Sequence, residues 1–94
     1  MSQIDRDEFQ RLVHDLVNRE GINLERKGRI TESMSLEDLG LDSIRRAHFL
    51  MGLESALGDR YNQGTKVFID DNSFELVSTL GDVRALIDRT LADL

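Results

Sequence analysis

Leu36-Glu37-Asp38-Leu39-Gly40-Leu41-Asp42-Ser43-Ile44-Arg45-Arg46-Ala47-His48-Phe49-Leu50-Met51-Gly52-Leu53-Glu54-Ser55-Ala56-Leu57-Gly58 changes its apolar period midway, and the change decides the fold. Up to Leu41 the apolar residues are irregularly spaced. From Asp42 onward Ile44, Ala47, Leu50, Met51, Leu53 and Leu57 recur at helical steps, with Phe49 beside them. Asp42 and Ser43 are both good N-caps. The spacing predicts a helix that starts at Asp42-Ser43, ends near Leu57 before Gly58, and buries this stripe.

Upstream, Phe9, Leu12, Val13, Leu16 and Val17 mark a first helix from about Asp5 to Arg19. Asp5 and Glu8 have the spacing of a capping box, and Gly21 sits where a C-terminal glycine would. Between Gly21 and Asp42 lies a long loop whose Ile22, Leu24, Ile30, Met34, Leu36, Leu39 and Leu41 are expected to plug into the core. Ser35 and Asp38 have capping-box spacing for a single turn over Ser35 to Leu39. A loop of this length in a small domain is usually functional.

Downstream, residues 59 to 68 read as loop around Asn62-Gln63-Gly64. A short helix follows Asp70 and carries Phe74, Leu76 and Val77. The last helix begins at Thr79, paired with Asp82 at capping-box spacing, and turns Leu80, Val83, Leu86, Ile87, Leu91 and Leu94 inward. Only Lys66-Val67-Phe68-Ile69 suits an extended chain, and one strand makes no sheet. The fold expected is an all-α bundle of three main helices and one short one, in a single domain spanning 1–94.

Composition narrows the function. Of 94 residues, 39% are apolar, enough for one modest core. Eighteen acids against 12 bases give a net charge of −6, which argues against a nucleic-acid coat. The absence of Cys excludes disulfides, thiolate metal sites and Cys nucleophiles. Two histidines, His14 and His48, argue against a His-rich zinc site. Asp59 to Asp70 has a glycine at the sixth position of a calcium loop. It places Tyr61 and Gln63 where carboxylates belong, and ends on Asp instead of Glu. No apolar run is long enough to span a membrane, and Met1 to Asp5 lacks the marks of a signal peptide, so a cytoplasmic protein is expected. No Ser-His-acid arrangement can be read from spacing, and no Gly-rich phosphate loop is present, so an enzyme is not expected.

Asp38-Leu39-Gly40-Leu41-Asp42-Ser43-Ile44 strongly resembles the phosphopantetheine attachment site of acyl carrier proteins, an acidic-Leu-Gly-x-Asp-Ser-Leu run opening the second helix, with Ile in place of the final Leu. Ile30-Thr31, Ser35-Leu36-Glu37, Met51, Leu53-Glu54 and Thr79-Leu80-Gly81-Asp82-Val83 are similar to the same family in order along the chain. The resemblance implies 4'-phosphopantetheine, taken from coenzyme A, covalently attached at Ser43, and a thioester-bound acyl or aminoacyl cargo. It implies a phosphopantetheinyl transferase, a loading ligase and downstream synthase or transferase enzymes as partners of a monomeric carrier. A serine at a helix N-terminus suits this role, since free N–H groups and the helix dipole favour the phosphodiester. Asp42 has two readings: by analogy it contacts the transferase and its metal, and it also simply caps the helix.

Departures from the family pattern bear on partners. Common fatty-acid carriers continue with acidic residues after the serine, whereas this chain has Arg45-Arg46-Ala47-His48. Two cations there oppose the helix dipole by about 0.3–1 kcal/mol each. They are either tolerated surface residues, or they engage an acidic partner surface or steady the phosphodiester on Ser43, and the functional reading favours a specialised polyketide, nonribosomal-peptide or aminoacyl pathway. Leu41, Ile44, Arg45, Arg46 and His48 are the candidate partner-binding residues. Residues 59 to 68 are longer than the family's usual crossing and read first as a tolerated insertion. Ala47 and Met51 lie where a cargo cleft would open. The alternative to a carrier is a helical interaction module in which Ser43 only caps its helix.

Overall fold

A computed structural model of the chain describes residues 4–22 and 30–94. Four helices follow one another: α1 (Arg6–Arg19), α2 (Ser43–Tyr61), α3 (Asp71–Glu75) and α4 (Leu80–Ala92). The described residues contain no strand, only an isolated bridge between Ser35 and Thr79. The all-α bundle of three longer helices and a short one is the architecture found.

Helix α1 buries Phe9, Leu12, Val13, Leu16 and Val17, the face expected from their spacing. Its C-terminus is a Schellman motif: Ile22 N–H donates to Val17 O at 3.4 Å and Gly21 N–H to Asn18 O at 3.0 Å. Gly21 adopts φ +78°, the left-handed conformation that motif needs. The N-terminus differs from expectation. Asp5 is the N-cap residue, but its side chain makes no capping bond. Glu8 turns instead to α2, where it accepts the Tyr61 hydroxyl and pairs with Arg60 at 3.2 Å.

Ile30, Leu36, Leu39 and Leu41 are buried, as expected; Leu24 lies outside the described residues. Ser35 and Asp38 exchange side-chain-to-backbone bonds, both 3.0 Å, over hydrogen-bonded turns and not a regular helix. The loop is also pinned to the start of α4: Leu36 N–H donates to Ser78 O, Leu80 N–H to Met34 O and Gly81 N–H to Glu32 O, all at 3.0 Å or less.

Helix α2 departs from the sequence reading in two ways. It continues through Gly58 to Tyr61, taking in the first residues of the expected loop. Its buried face is Phe49, Leu50, Leu53, Glu54, Leu57 and Gly58, while Ile44 (69% exposed), Ala47 and Met51 (59%) face outward. The apolar arc of this helix is wider than the core it covers, so the row through Ile44, Ala47 and Met51 is left outside. Gly52 lets α1 approach, since a Cβ there would lie 2.7 Å from Leu16 Cδ2.

Residues 66 to 70 follow without regular secondary structure, burying Val67 and Ile69 and exposing Phe68. Glu54 fastens this segment: its backbone carbonyl accepts Val67 N–H at 3.2 Å and its carboxylate accepts Ile69 N–H at 2.8 Å. Short α3 buries Phe74, which stacks on Phe49 with centroids 6.3 Å apart; Leu76 is exposed, and Val77 is buried. The Thr79–Asp82 capping box of α4 forms as expected. Asp82 also accepts Ser78 N–H, and the backbone bonds from Thr79 and Ser78 hold its carboxyl below the usual range. Leu94, expected inside, is 61% exposed, because α4 ends at Ala92.

The Tyr61–Glu8 bond ties the last turn of α2 to the first turn of α1 and gives a pH signature. Tyr61 and then Arg60 hold Glu8 below its ordinary 4.5 against an opposing effect of burial. Burial and Glu8 push Tyr61 up to about 12 from 10.0. A lowered carboxyl contributes stability that is complete above about pH 4.5 and lost as pH falls through its folded value; a raised phenol contributes stability complete below pH 10 and lost as pH rises toward about 12. Tyr61→Phe therefore flattens both limbs of a plot of urea midpoint against pH, and most visibly the one between pH 10 and 12. A variant whose alkaline limb matches that of the native chain contradicts the assignment.

Candidate functional site

Ser43 is exposed at the first position of α2, and the residues before it explain why. Leu36, Leu39 and Leu41 are each 1% exposed or less, so the loop is anchored on three sides of a tight turn. Gly40 makes that turn at φ +85°, which glycine adopts without strain. Leu41 N–H donates to Leu36 O at 3.1 Å. The chain leaves the core at Asp42 and enters the helix at once. Leu41, one of the candidate partner contacts, is thus a core anchor with no side-chain surface to offer; it sets the position of Ser43 from beneath.

Asp42 is the N-cap residue. Its Oδ1 accepts Arg45 N–H at 2.9 Å, and its carbonyl accepts Arg46 N–H at 2.8 Å. The N–H groups of Ser43 and Ile44 precede any intrahelical acceptor and point out of the helix end. The first turn itself holds no acid, so the Asp42 carboxylate, spent on Arg45 N–H, is the one negative group capping this helix end. This donor set fits a phosphodiester on Ser43 Oγ: two open N–H groups, a helix N-terminus and an accessible hydroxyl.

The cations after Ser43 are more constrained than free surface residues. Arg46 Nη2 donates to Val77 O at 2.9 Å, and its guanidinium lies 5.9 Å from the Phe74 ring centroid. Arg45 is exposed and makes a long contact, 3.4 Å, to Gly40 O. His48 Nδ1 lies 3.0 Å from Glu20 Oε1 at the end of α1. Arg46 therefore serves the contact of α2 with the α3 segment, His48 the α1–α2 contact, and Arg45 is the residue of the three with the greatest freedom to meet a partner. His14 is half-buried on α1.

Ser43 stands at the edge of a groove of about 500 Å³ between α2 and α3, lined also by Ala47, Leu50, Met51, Phe74 and Glu75. Ala47 and Met51 both line this groove. Phe74, Asp71, Glu75 and the buried Glu54 also line it. Sequence reasoning did not assign them to the site, because contacts between distant segments leave no local pattern; the four-residue spacing of Asp71 and Glu75 was the one available sign of a shared face. Among the described residues, no group of three or more metal-ligating side chains is assembled. No helix among them is long and apolar enough to cross a membrane. No family model matches the chain, and no curated protein or solved structure is significantly similar to it.

Proposed function

We propose that the chain is a carrier protein, not an enzyme, that bears 4'-phosphopantetheine on Ser43. One observation carries this reading: the Asp42-Ser43 pair stands exposed at the N-terminus of α2, on a loop locked into the core by Leu36, Leu39 and Leu41. A serine that merely capped its helix would sit one position earlier, where Asp42 already performs the capping.

In the loading step a transferase brings coenzyme A to this helix end. Ser43 Oγ forms a bond to the phosphorus of the pantetheine-linked phosphate, the pyrophosphate P–O bond breaks, and adenosine 3',5'-bisphosphate leaves with the electron pair. The serine proton goes to a base of the transferase. The N–H groups of Ser43 and Ile44 stabilise the anion where it remains. Asp42 keeps Oδ1 on Arg45 N–H, and by analogy with the family its carboxylate would also contact the transferase and its metal. Once bound, the arm supplies the thiol that a Cys-free chain lacks, and it holds an acyl or aminoacyl group as a thioester. Exposed Ile44, Met51 and Arg45 offer the surface that ligase and synthase partners would meet.

A fluorescent coenzyme A derivative and a broad-specificity transferase test the reading. The native chain becomes covalently labelled, and Ser43→Ala does not. Labelling of neither, with a transferase active on another carrier, favours the helical interaction module. Partner contact has its own prediction. Arg45→Glu slows acyl transfer from the cognate ligase by roughly 5- to 10-fold, since one charge reversed at an interface edge changes mainly the encounter. Arg46→Glu is less informative, because it also breaks the bond to Val77. Unchanged transfer by Arg45→Glu would remove that residue from the docking surface.

A further inference from the structure

Most charges of α4 are spent within the chain. Asp82 accepts Ser78 N–H and Thr79 N–H. Arg84 donates to Glu32 at 2.6 Å and to Ile4 O at 3.3 Å, and Asp88 accepts Ile4 N–H at 2.9 Å. Arg89 and Asp93 are exposed and take part in no salt bridge among the described residues. They stand one turn apart on the same side of the helix and still do not pair. Cation before anion is the weaker order for an intrahelical pair, and Asp93 is the C-cap residue, where a carboxylate meets the negative pole of the dipole. Both line a second groove, of about 470 Å³, whose other charged residue is Asp70. Asp70 is spent on Asn72 N–H at 3.3 Å and on Ser73 Oγ at 3.2 Å. Phe68 (77% exposed) and Leu94 (61%) rim this groove. Phe68 is held outward, because its neighbours Val67 and Ile69 are buried and fastened by Glu54.

A face whose unspent charges are one cation and one anion matches itself. When two copies of α4 lie antiparallel about a two-fold axis midway between these residues, Arg89 of each copy meets Asp93 of the other. Each poorly placed carboxylate gains a guanidinium, and Phe68 and Leu94 leave water in the same contact. A partner of a single charge sign would satisfy one of the two residues and repel the other. We infer that this face pairs with a second copy of the chain, α4 against α4, through reciprocal Arg89–Asp93 contacts rimmed by Phe68 and Leu94. The contact draws on part of one 13-residue helix and the segment beside it, which places it among small, transient interfaces. This groove shares no lining residue with the one at Ser43, so the pairing is independent of the carrier reading and leaves Ser43 open on both copies.

Sedimentation equilibrium of the full chain tests this. Between about 10 µM and about 1 mM the weight-average mass is expected to rise from 10.7 kDa toward twice that value. Arg89→Asp alone and Asp93→Arg alone each set like charges face to face and weaken association at least about 10-fold. An equimolar mixture of those two variants pairs again, as does the double variant Arg89→Asp/Asp93→Arg, both to within about 3-fold of the native chain. Phe68→Ser weakens association with no change of charge. All three positions are exposed, and circular dichroism verifies that each variant is folded. A native chain at monomer mass throughout, as the resemblance at Ser43 implies, overturns the inference and leaves the face to some other occupant. Association that survives either single reversal, or a mixture of the two single variants that stays apart, overturns the Arg89–Asp93 pairing.

Discussion

Gly58→Ala lowers stability by about 1–3 kcal/mol, although alanine favours helix over glycine by about 1 kcal/mol in general. A Cβ at Gly58 would lie 2.4 Å from Thr65 O and 2.8 Å from Lys66 Cα. Both atoms are backbone, and that backbone is held: Gly58 O accepts Asn62 N–H at 3.0 Å and Gly64 N–H at 2.9 Å, and Val67 N–H donates to Glu54 O. Moving the loop away gives up those bonds, and staying leaves a clash. Gly52→Ala is the control. Its Cβ meets Leu16 Cδ2 at 2.7 Å, the free end of a side chain that can rotate, and the gain in helix propensity offsets the adjustment. Urea midpoints of the two variants are expected to differ by at least 1 kcal/mol in converted stability, with Gly58→Ala the weaker. Equal midpoints would mean that the loop over Gly58 is not held as described.

Glu54→Ala has a comparable effect, about 2–3 kcal/mol, for a different reason. Glu54 is 6% exposed, and its carboxylate satisfies the Ile69 N–H of a segment that buries Val67 and Ile69. Removing the acceptor leaves a buried amide without a partner, which costs about 1–3 kcal/mol beyond the lost contact. Lys66, whose side chain is 58% exposed, adds little at 3.4 Å. Glu54→Gln retains an oxygen for Ile69 and is expected to lose less than half as much. Denaturant titrations of both variants, with hydrogen exchange at the Ile69 amide, separate the outcomes. If Glu54→Gln proves as damaging as Glu54→Ala, charge and not the Ile69 bond is what the residue supplies.

These two residues also show where sequence reading stops. The stripes of α1 and α4 were legible because each presents a single apolar face, and their limits carry local signals, Gly21 at one and the Thr79–Asp82 box at the other. Helix α2 was legible as a helix but not in its orientation. Its apolar residues fill two rows, and only packing against Leu16 and Phe74 chooses the buried one. Gly58 resembled a stop because a glycine after an apolar stripe usually is one; here it is the place where another strand of chain crosses. Nothing in the local sequence marks Glu54 as buried, because its partner is a backbone amide fifteen residues away. At the candidate site, a helix start at Asp42-Ser43 was legible in the local sequence, whereas the choice of Asp42 as the cap, and the engagement of Arg46 with Val77 and of His48 with Glu20, required the tertiary fold.

The account turns on whether Ser43 is a point of attachment. Intact mass of the purified chain, after incubation with coenzyme A, magnesium and a broad-specificity phosphopantetheinyl transferase, measures this directly. The account predicts a gain of one phosphopantetheine in the native chain and none in Ser43→Ala. A native chain left at its original mass, beside a second carrier fully converted by the same transferase, would contradict it.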